Sequence, residues 1–316
     1  MNNSLIPLSV PKNKVSEYKK NWQRATGKSG KLLLFAGDQK LEHLNDDFVG
    51  AGISPEDKNP RHLFEIAKNI KTGVFATHLG LIARYGAEFR NINYVVKLNG
   101  RTNLFDDKDE LTSPAWYSVA EIANFAKQSG LKIAGVGYTV YLGGENETEM
   151  IKEAARICLE AHQNGLLAII WMYPRSSKIK NEDNPHLIAG GAGVASTLGA
   201  DFVKTKYPYK NQKDAKKFNE VVEAAGNCGV ICVGSSKMGI KELFAALSIQ
   251  AKAGTRGLAI GRNLHQRSLK EATLIVEALE GFFQGKYSEK EAVMVAEGKK
   301  VKARNKKDKG KLLFFF

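Results

Sequence analysis

Ala200-Asp201-Phe202-Val203-Lys204-Thr205-Lys206-Tyr207 reads as a short buried strand opening into a loop richer in basic and aromatic residues. Within it, Phe202-Val203-Lys204 sets a lysine in an apolar strand, where a bare ammonium is unfavourable. Such a lysine is paired, neutral or chemically employed. The plainer alternative is a side chain that snorkels from the strand end to solvent. Two further segments weigh toward chemistry: Ile169-Ile170-Trp171-Met172-Tyr173-Pro174-Arg175 and Val233-Gly234-Ser235-Ser236-Lys237.

Working outward, similar short apolar runs recur along the chain. They are Leu32–Phe35, Gly73–Thr77, Tyr94–Leu98, Lys132–Gly137, Ala168–Met172, Phe202–Thr205, Val230–Gly234 and Gly257–Ile260. Runs this apolar and this rich in Val and Ile are the pattern of strands buried on both faces. Helical periodicity fills the gaps, over Arg61–Asn69, Ser118–Gln128, Glu147–Asn164, Pro185–Leu198, Asp214–Ala225, Ile240–Ala253 and His265–Gln284. Strands alternating with helices predict an α/β fold, a single-domain (β/α)8 TIM barrel; a doubly wound open sheet is the alternative. The expected organisation is an N-terminal helical extension over 1–28, the barrel over 29–285 and a basic tail over 286–316.

The chain has 316 residues and a formal charge of +14. Roughly half of that excess lies between Lys299 and Lys311, where eight Lys or Arg face the single acid Asp308. The body is therefore mildly basic, as suits a protein that takes phosphorylated substrates. The tail ends in apolar Leu312-Leu313-Phe314-Phe315-Phe316, which favours a partner surface. Nucleic-acid binding through the tail is the non-enzymatic alternative, but the tail lacks the interleaved aromatics of such a reader. No tract is long enough to cross a bilayer, and the N-terminus lacks a signal-peptide pattern. Cys158, Cys228 and Cys232 form neither a disulfide framework nor a CxxC site, so a reduced cytoplasmic protein is expected.

In either fold, chemistry belongs at the carboxyl ends of the strands. Those positions hold Asp38, His78, Asn99, Trp171, Tyr173, Lys204, Gly234-Ser235-Ser236 and Gly261-Arg262-Asn263. The last two strands of a barrel commonly end in a phosphate site, which points to Gly234, Ser235, Ser236, Gly261 and Arg262. His43, His78, His162 and His265 show neither HxxxH nor HExxH spacing, so no metal site is expected. Glu42-His43 either joins the site or caps its loop; Lys97 is either a second buried lysine or an interior salt-bridge partner. Gly191-Ala192-Gly193 falls within a helical segment and is no dinucleotide fingerprint.

The strand ends Trp171-Met172-Tyr173-Pro174-Arg175 and Gly199-Ala200-Asp201-Phe202-Val203-Lys204 resemble the archaeal-type class I fructose-1,6-bisphosphate aldolases. So do Val95-Val96-Lys97-Leu98-Asn99-Gly100 and Gly257-Leu258-Ala259-Ile260-Gly261-Arg262-Asn263. The superfamily also includes the aminodideoxyheptulosonate synthases. The resemblance implies that Lys204 forms the Schiff base, Tyr173 shuttles protons, Trp171 lines the site and Asp38 stands beside the lysine. It also implies a phosphate site at Gly234, Ser235, Gly261 and Arg262, a phosphorylated ketose substrate, no cofactor, and a homo-oligomer, commonly a decamer. The chain departs from the family at Asp38-Gln39-Lys40, where Asp-His-Gly is usual, in its long Leu44–Pro60 loop and in its tail. The first loop borders the site, so a related Schiff-base aldolase or transaldol-type synthase acting on another sugar phosphate stays open.

Overall fold

A computed structural model of the protein describes residues 6–104, 111–208, 217–234 and 236–301. Eight parallel strands pair in sequence order and close on themselves, the first against the last. They are β1 Leu32–Ala36, β2 Val74–His78, β3 Asn93–Lys97, β4 Lys132–Leu142, β5 Leu167–Pro174, β6 Phe202–Thr205, β7 Gly229–Val233 and β8 Gly257–Ile260. The described helices are α1 Val15–Thr26, α2 Gln39–Glu42, α3 Arg61–Ala67, α4 Leu79–Tyr85, α5 Val119–Ser129 and α6 Glu147–Gln163. They continue as α7 Pro185–Thr197, α8 Asn219–Ala225, α9 Ile240–Lys252, α10 Arg262–His265, α11 Leu269–Phe283 and α12 Glu289–Ala296. The fold is the expected (β/α)8 barrel, with α1 ahead of it.

Strand parity divides the core. Leu33, Phe35, Phe75, Tyr94, Val96 and Ile170 point outward into the layer shared with the helices. Leu32, Leu34, Ala36, Val95, Ile169, Trp171, Phe202 and Ile231 fill the lumen. Because strand side chains alternate faces, the next lumen position on each strand is fixed two residues on. Ala36 is followed by Asp38, Val95 by Lys97 and Asn99, Trp171 by Tyr173, and Phe202 by Lys204. The apolar filling thus gives way to polar groups at one end of the barrel.

At the other end, α1 closes the floor. Its Tyr18 and Ala25 join the lumen cluster, and Trp22 stacks on Phe202 with ring centres 5.2 Å apart. Tyr18 donates its hydroxyl to Asp201, which also accepts from Ala168 N at 2.8 Å and faces His162 Nε2 at 3.2 Å. Ser9 Oγ completes the cluster on His162 Nδ1 at 2.7 Å.

Three differences from the sequence reading have local causes. β4 runs to Leu142 rather than stopping at Gly137, because that glycine makes room for an indole: a Cβ there would lie 2.5 Å from the Trp171 ring. The short α4 follows β2, where two turns are too brief for periodicity to reveal. Beyond residue 286 the chain forms α12, capped by Ser288, with Ala292, Val295 and Ala296 buried against α9 and α11. The start of the Asp214–Ala225 helix, Ser235 and the tail from residue 302 lie outside the described residues. Among the described residues, no helix is long and apolar enough to cross a membrane.

Candidate active site

Lys204 ends the lumen series of β6 with a side chain only 7% exposed. Its Nζ stands 4.7 Å from the centre of the Trp171 ring and 4.0 Å from Asp38 Oδ2. That separation is too long for a hydrogen bond. Both Asp38 carboxylate oxygens are buried, and among the described residues no other residue hydrogen-bonds them. Burial pushes the Asp38 carboxyl up, yet Lys204, Lys97 and His78 together hold it below the usual range. Asp38 is thus a buried anion facing the lysine rather than a saturated structural carboxylate.

The same indole carries a second lysine. Lys97 Nζ lies 5.4 Å from the Trp171 ring centre and is wholly buried. It donates to Asn99 O at 2.8 Å and to Asn99 Oδ1 at 3.2 Å, and stands 3.7 Å from Glu42 Oε1. Asn99 is itself fixed, donating to Ser113 O at 2.6 Å and Thr139 O at 2.9 Å. Burial lowers the pKa of the Lys97 ammonium, with Lys204 adding to the effect against Glu42 and Asp38. Lys97 is therefore tethered by its bonds to Asn99, whereas Lys204 faces its carboxylate across a gap. The cation sharing the indole with Lys204 is Lys97, not Lys206. Lys206 turns to Glu182 at 2.9 Å and Asp183 at 3.5 Å.

Glu42 is the residue whose place the sequence left open. As the last residue of α2 it reaches Lys97, and burial followed by the Asp38 charge raises its pKa. Two carboxyls in one site are thereby pushed apart, Asp38 toward the anion and Glu42 toward the acid. Tyr173 is half-buried, with Tyr141 stacked on it at 6.4 Å and the Arg175 guanidinium 6.0 Å from its ring centre. Burial, then Glu42 and Asp38, raise its phenol well above the ordinary value, so it carries its proton at neutral pH. His78 stacks on Trp116 at 5.0 Å and contacts Asn99 O at 3.2 Å. Burial and the Lys97 charge lower it to about 4.

The expected phosphate residues gather where β7 and β8 end. Asn263 joins their loops, donating to Ser236 O at 3.2 Å and accepting from Met238 N at 2.9 Å. Ser236 is exposed, and Ser235 lies outside the described residues. The Gly234 amide donates to Ala259 O at 2.8 Å in the barrel ladder. At Gly261 the end of the Gln39 side chain closes over the backbone, and a Cβ there would lie 2.3 Å from Gln39 Oε1. Arg262 opens α10 with a buried Nε that has no partner among the described residues, and its Nη1 is 3.7 Å from Asp47 Oδ1.

A parallel barrel whose sixth strand presents a lysine beside a buried carboxylate and an indole is the arrangement of an imine-forming enzyme. Comparison agrees: the profile described as DeoC/LacD family aldolase matches residues 32–267, and the chain belongs to this family. It is 49% identical over 278 residues to the fructose-bisphosphate aldolase/6-deoxy-5-ketofructose 1-phosphate synthase of Methanocaldococcus jannaschii, covering 87% of this chain and 88% of that one. The solved fructose-bisphosphate aldolase of Slackia heliotrinireducens superposes with a TM-score of 0.90 at 40% identity, covering 95% of this chain and 96% of that one. An archaeal fructose-1,6-bisphosphate aldolase, solved with its catalytic lysine bound to the carbinolamine intermediate, superposes with a TM-score of 0.71 at 30% identity. That match covers 83% of this chain and 98% of the other.

Proposed function

We propose that the protein is a class I aldolase that reversibly cleaves fructose 1,6-bisphosphate to dihydroxyacetone phosphate and glyceraldehyde 3-phosphate. The observation that carries this reading is Lys204, buried at the mouth beside an unsaturated carboxylate at 4.0 Å. Its amine attacks the C2 carbonyl, and loss of water from the carbinolamine leaves a protonated imine. The imine accepts the electron pair of the C3–C4 bond, so no metal is needed as the electron sink. Asp38 supports the cationic nitrogen, and Trp171 forms the wall against which it sits.

Breaking that bond requires the C4 hydroxyl to lose its proton. Tyr173 is protonated in the resting site, so it acts as a relay, taking the C4 hydroxyl proton while giving its own to C3 of the enamine that cleavage leaves. Arg262 and the adjoining loop hold a substrate phosphate, and this remote contact aligns the reacting carbons. The reading carries with it a cytoplasmic homo-oligomer, a decamer by family resemblance, serving glycolysis and gluconeogenesis. The free, buried Cys158, Cys228 and Cys232 suit a reducing compartment.

The M. jannaschii relative's second named activity supports a second reading, synthesis of 6-deoxy-5-ketofructose 1-phosphate through the same imine. Release of dihydroxyacetone phosphate from a panel of phosphorylated ketoses separates the two. Fructose 1,6-bisphosphate should be cleaved at full rate in excess EDTA. Failure to cleave it while another ketose phosphate turns over would move the reading to a related synthase. Loss on chelation, restored by divalent metal, would overturn imine chemistry.

A further inference from the structure

The long loop after α2 is fastened to the phosphate side of the barrel mouth. Ser54 N donates to Gln266 O at 3.1 Å, and Gln266 Nε2 donates back to Asp47 O at 2.8 Å. Lys237 Nζ donates to Gly52 O at 2.6 Å. The fully buried His265 pairs with Asp57 at 2.7 Å and stacks on Phe48 with ring centres 4.7 Å apart. Each of these contacts ties residues 47–57 to the segment after β8 or to the loop after β7.

Asp47 lies at the centre of this clasp and is itself buried. One carboxylate oxygen meets His43 Nδ1 at 2.5 Å, and the other faces Arg262 Nη1 at 3.7 Å. Despite burial, His43, Arg262 and His265 keep the Asp47 carboxyl below its usual range, so it is anionic at neutral pH. At 3.7 Å the contact orients the guanidinium by charge without consuming its donors. Arg262 Nε is left buried with no partner among the described residues, a donor that still requires an acceptor. An arginine held from one side loses less rotamer freedom when it captures a phosphate than one that swings free.

We propose that Asp47 is a positioning residue for the substrate phosphate: it holds Arg262 in its binding posture, and the 44–60 loop is built to place it there. This rests on reading Arg262 as the phosphate contact. The many other fastenings of the loop survive removal of the Asp47 side chain, since Gln266 binds its backbone oxygen.

The test uses the full chain carrying Asp47→Ala, Asp47→Asn, Arg262→Ala, and Asp47→Ala with Arg262→Ala. For each, kcat and KM for fructose 1,6-bisphosphate, the inhibition constant of inorganic phosphate, and Tm are measured at one ionic strength. Asp47→Ala should raise both KM and the phosphate constant about tenfold, the scale of re-immobilising one long side chain, with kcat within about threefold. Asp47→Asn, which keeps the shape but not the charge, should fall between. Arg262→Ala should have the larger effect, and the double variant should be no worse than Arg262→Ala alone, because Asp47 acts through it. Additive losses, an unchanged or tighter phosphate constant in Asp47→Ala, or a kcat that falls while the phosphate constant holds would overturn the proposal. An unchanged phosphate constant in Arg262→Ala would instead overturn the phosphate reading on which it rests.

Discussion

Two buried aspartates, one at each end of the barrel, show how the same side chain serves different purposes. Asp201 at the floor is saturated: Tyr18, the Ala168 amide and His162 all converge on it. Asp38 at the mouth has two oxygens that no other described residue hydrogen-bonds and a lysine 4.0 Å away. A buried polar group that is fully paired stabilises and specifies the fold. A buried anion left short of partners is retained where a charge will develop opposite it. The contrast extends to the lysines, for Lys97 is tethered to Asn99 while Lys204 is not held in that way. The floor is built to stay closed and the mouth to react.

Substitutions at the two ends should separate along this line. Lys204→Met should remove turnover altogether, because the imine nitrogen is gone, while the fold persists. Tyr173→Phe keeps the ring and removes the relay hydroxyl, so turnover should fall by about 10²–10⁴. Arg262→Ala should reduce kcat/KM for the bisphosphate by roughly 2–4 kcal/mol, and far less for an unphosphorylated analogue. Equal losses on both would make Arg262 structural.

The floor should respond in stability instead. Asp201→Asn leaves partners of the lost charge imperfectly matched in the interior, at about 1–3 kcal/mol, with kcat little changed. A large kcat loss with an unaltered Tm would break the division between floor and mouth. A pH-dependent effect of similar size concerns His78, whose pKa falls from 6.5 to about 4 on folding. The unfolded chain therefore binds the extra proton first as pH drops. The associated stability is complete above pH 6.5 and lost between there and about pH 4. Denaturation midpoints at pH 7 and pH 4.5 should converge in His78→Gln relative to the parent.

Much of this organisation was legible in the sequence, because strands buried on both faces announce themselves as apolar runs. The same runs concealed parity. Gly137 looked like a strand end because a glycine usually breaks a strand, whereas here it accommodates Trp171. Asp38, Trp171, Tyr173 and Lys204 stood out as reactive types at strand ends, and the closed barrel brings them to one mouth. The sequence leaves Glu42 open between site and loop cap, and Asp47 does not stand out, since its place depends on how an irregular loop folds back over β8, which no periodicity encodes. Nor does an apolar run encode which loop amides are free: that of Gly234 is set by barrel registration and bonds Ala259 O.

The central claim is that Lys204, rather than its tethered neighbour, is the nucleophile. Borohydride reduction in the presence of fructose 1,6-bisphosphate, followed by peptide mass mapping, tests it directly. The reduced ketose-phosphate adduct should fall on Lys204, and the Lys204→Met variant should trap nothing. Adduct on Lys97 or Lys206 with Lys204 unmodified would contradict the account.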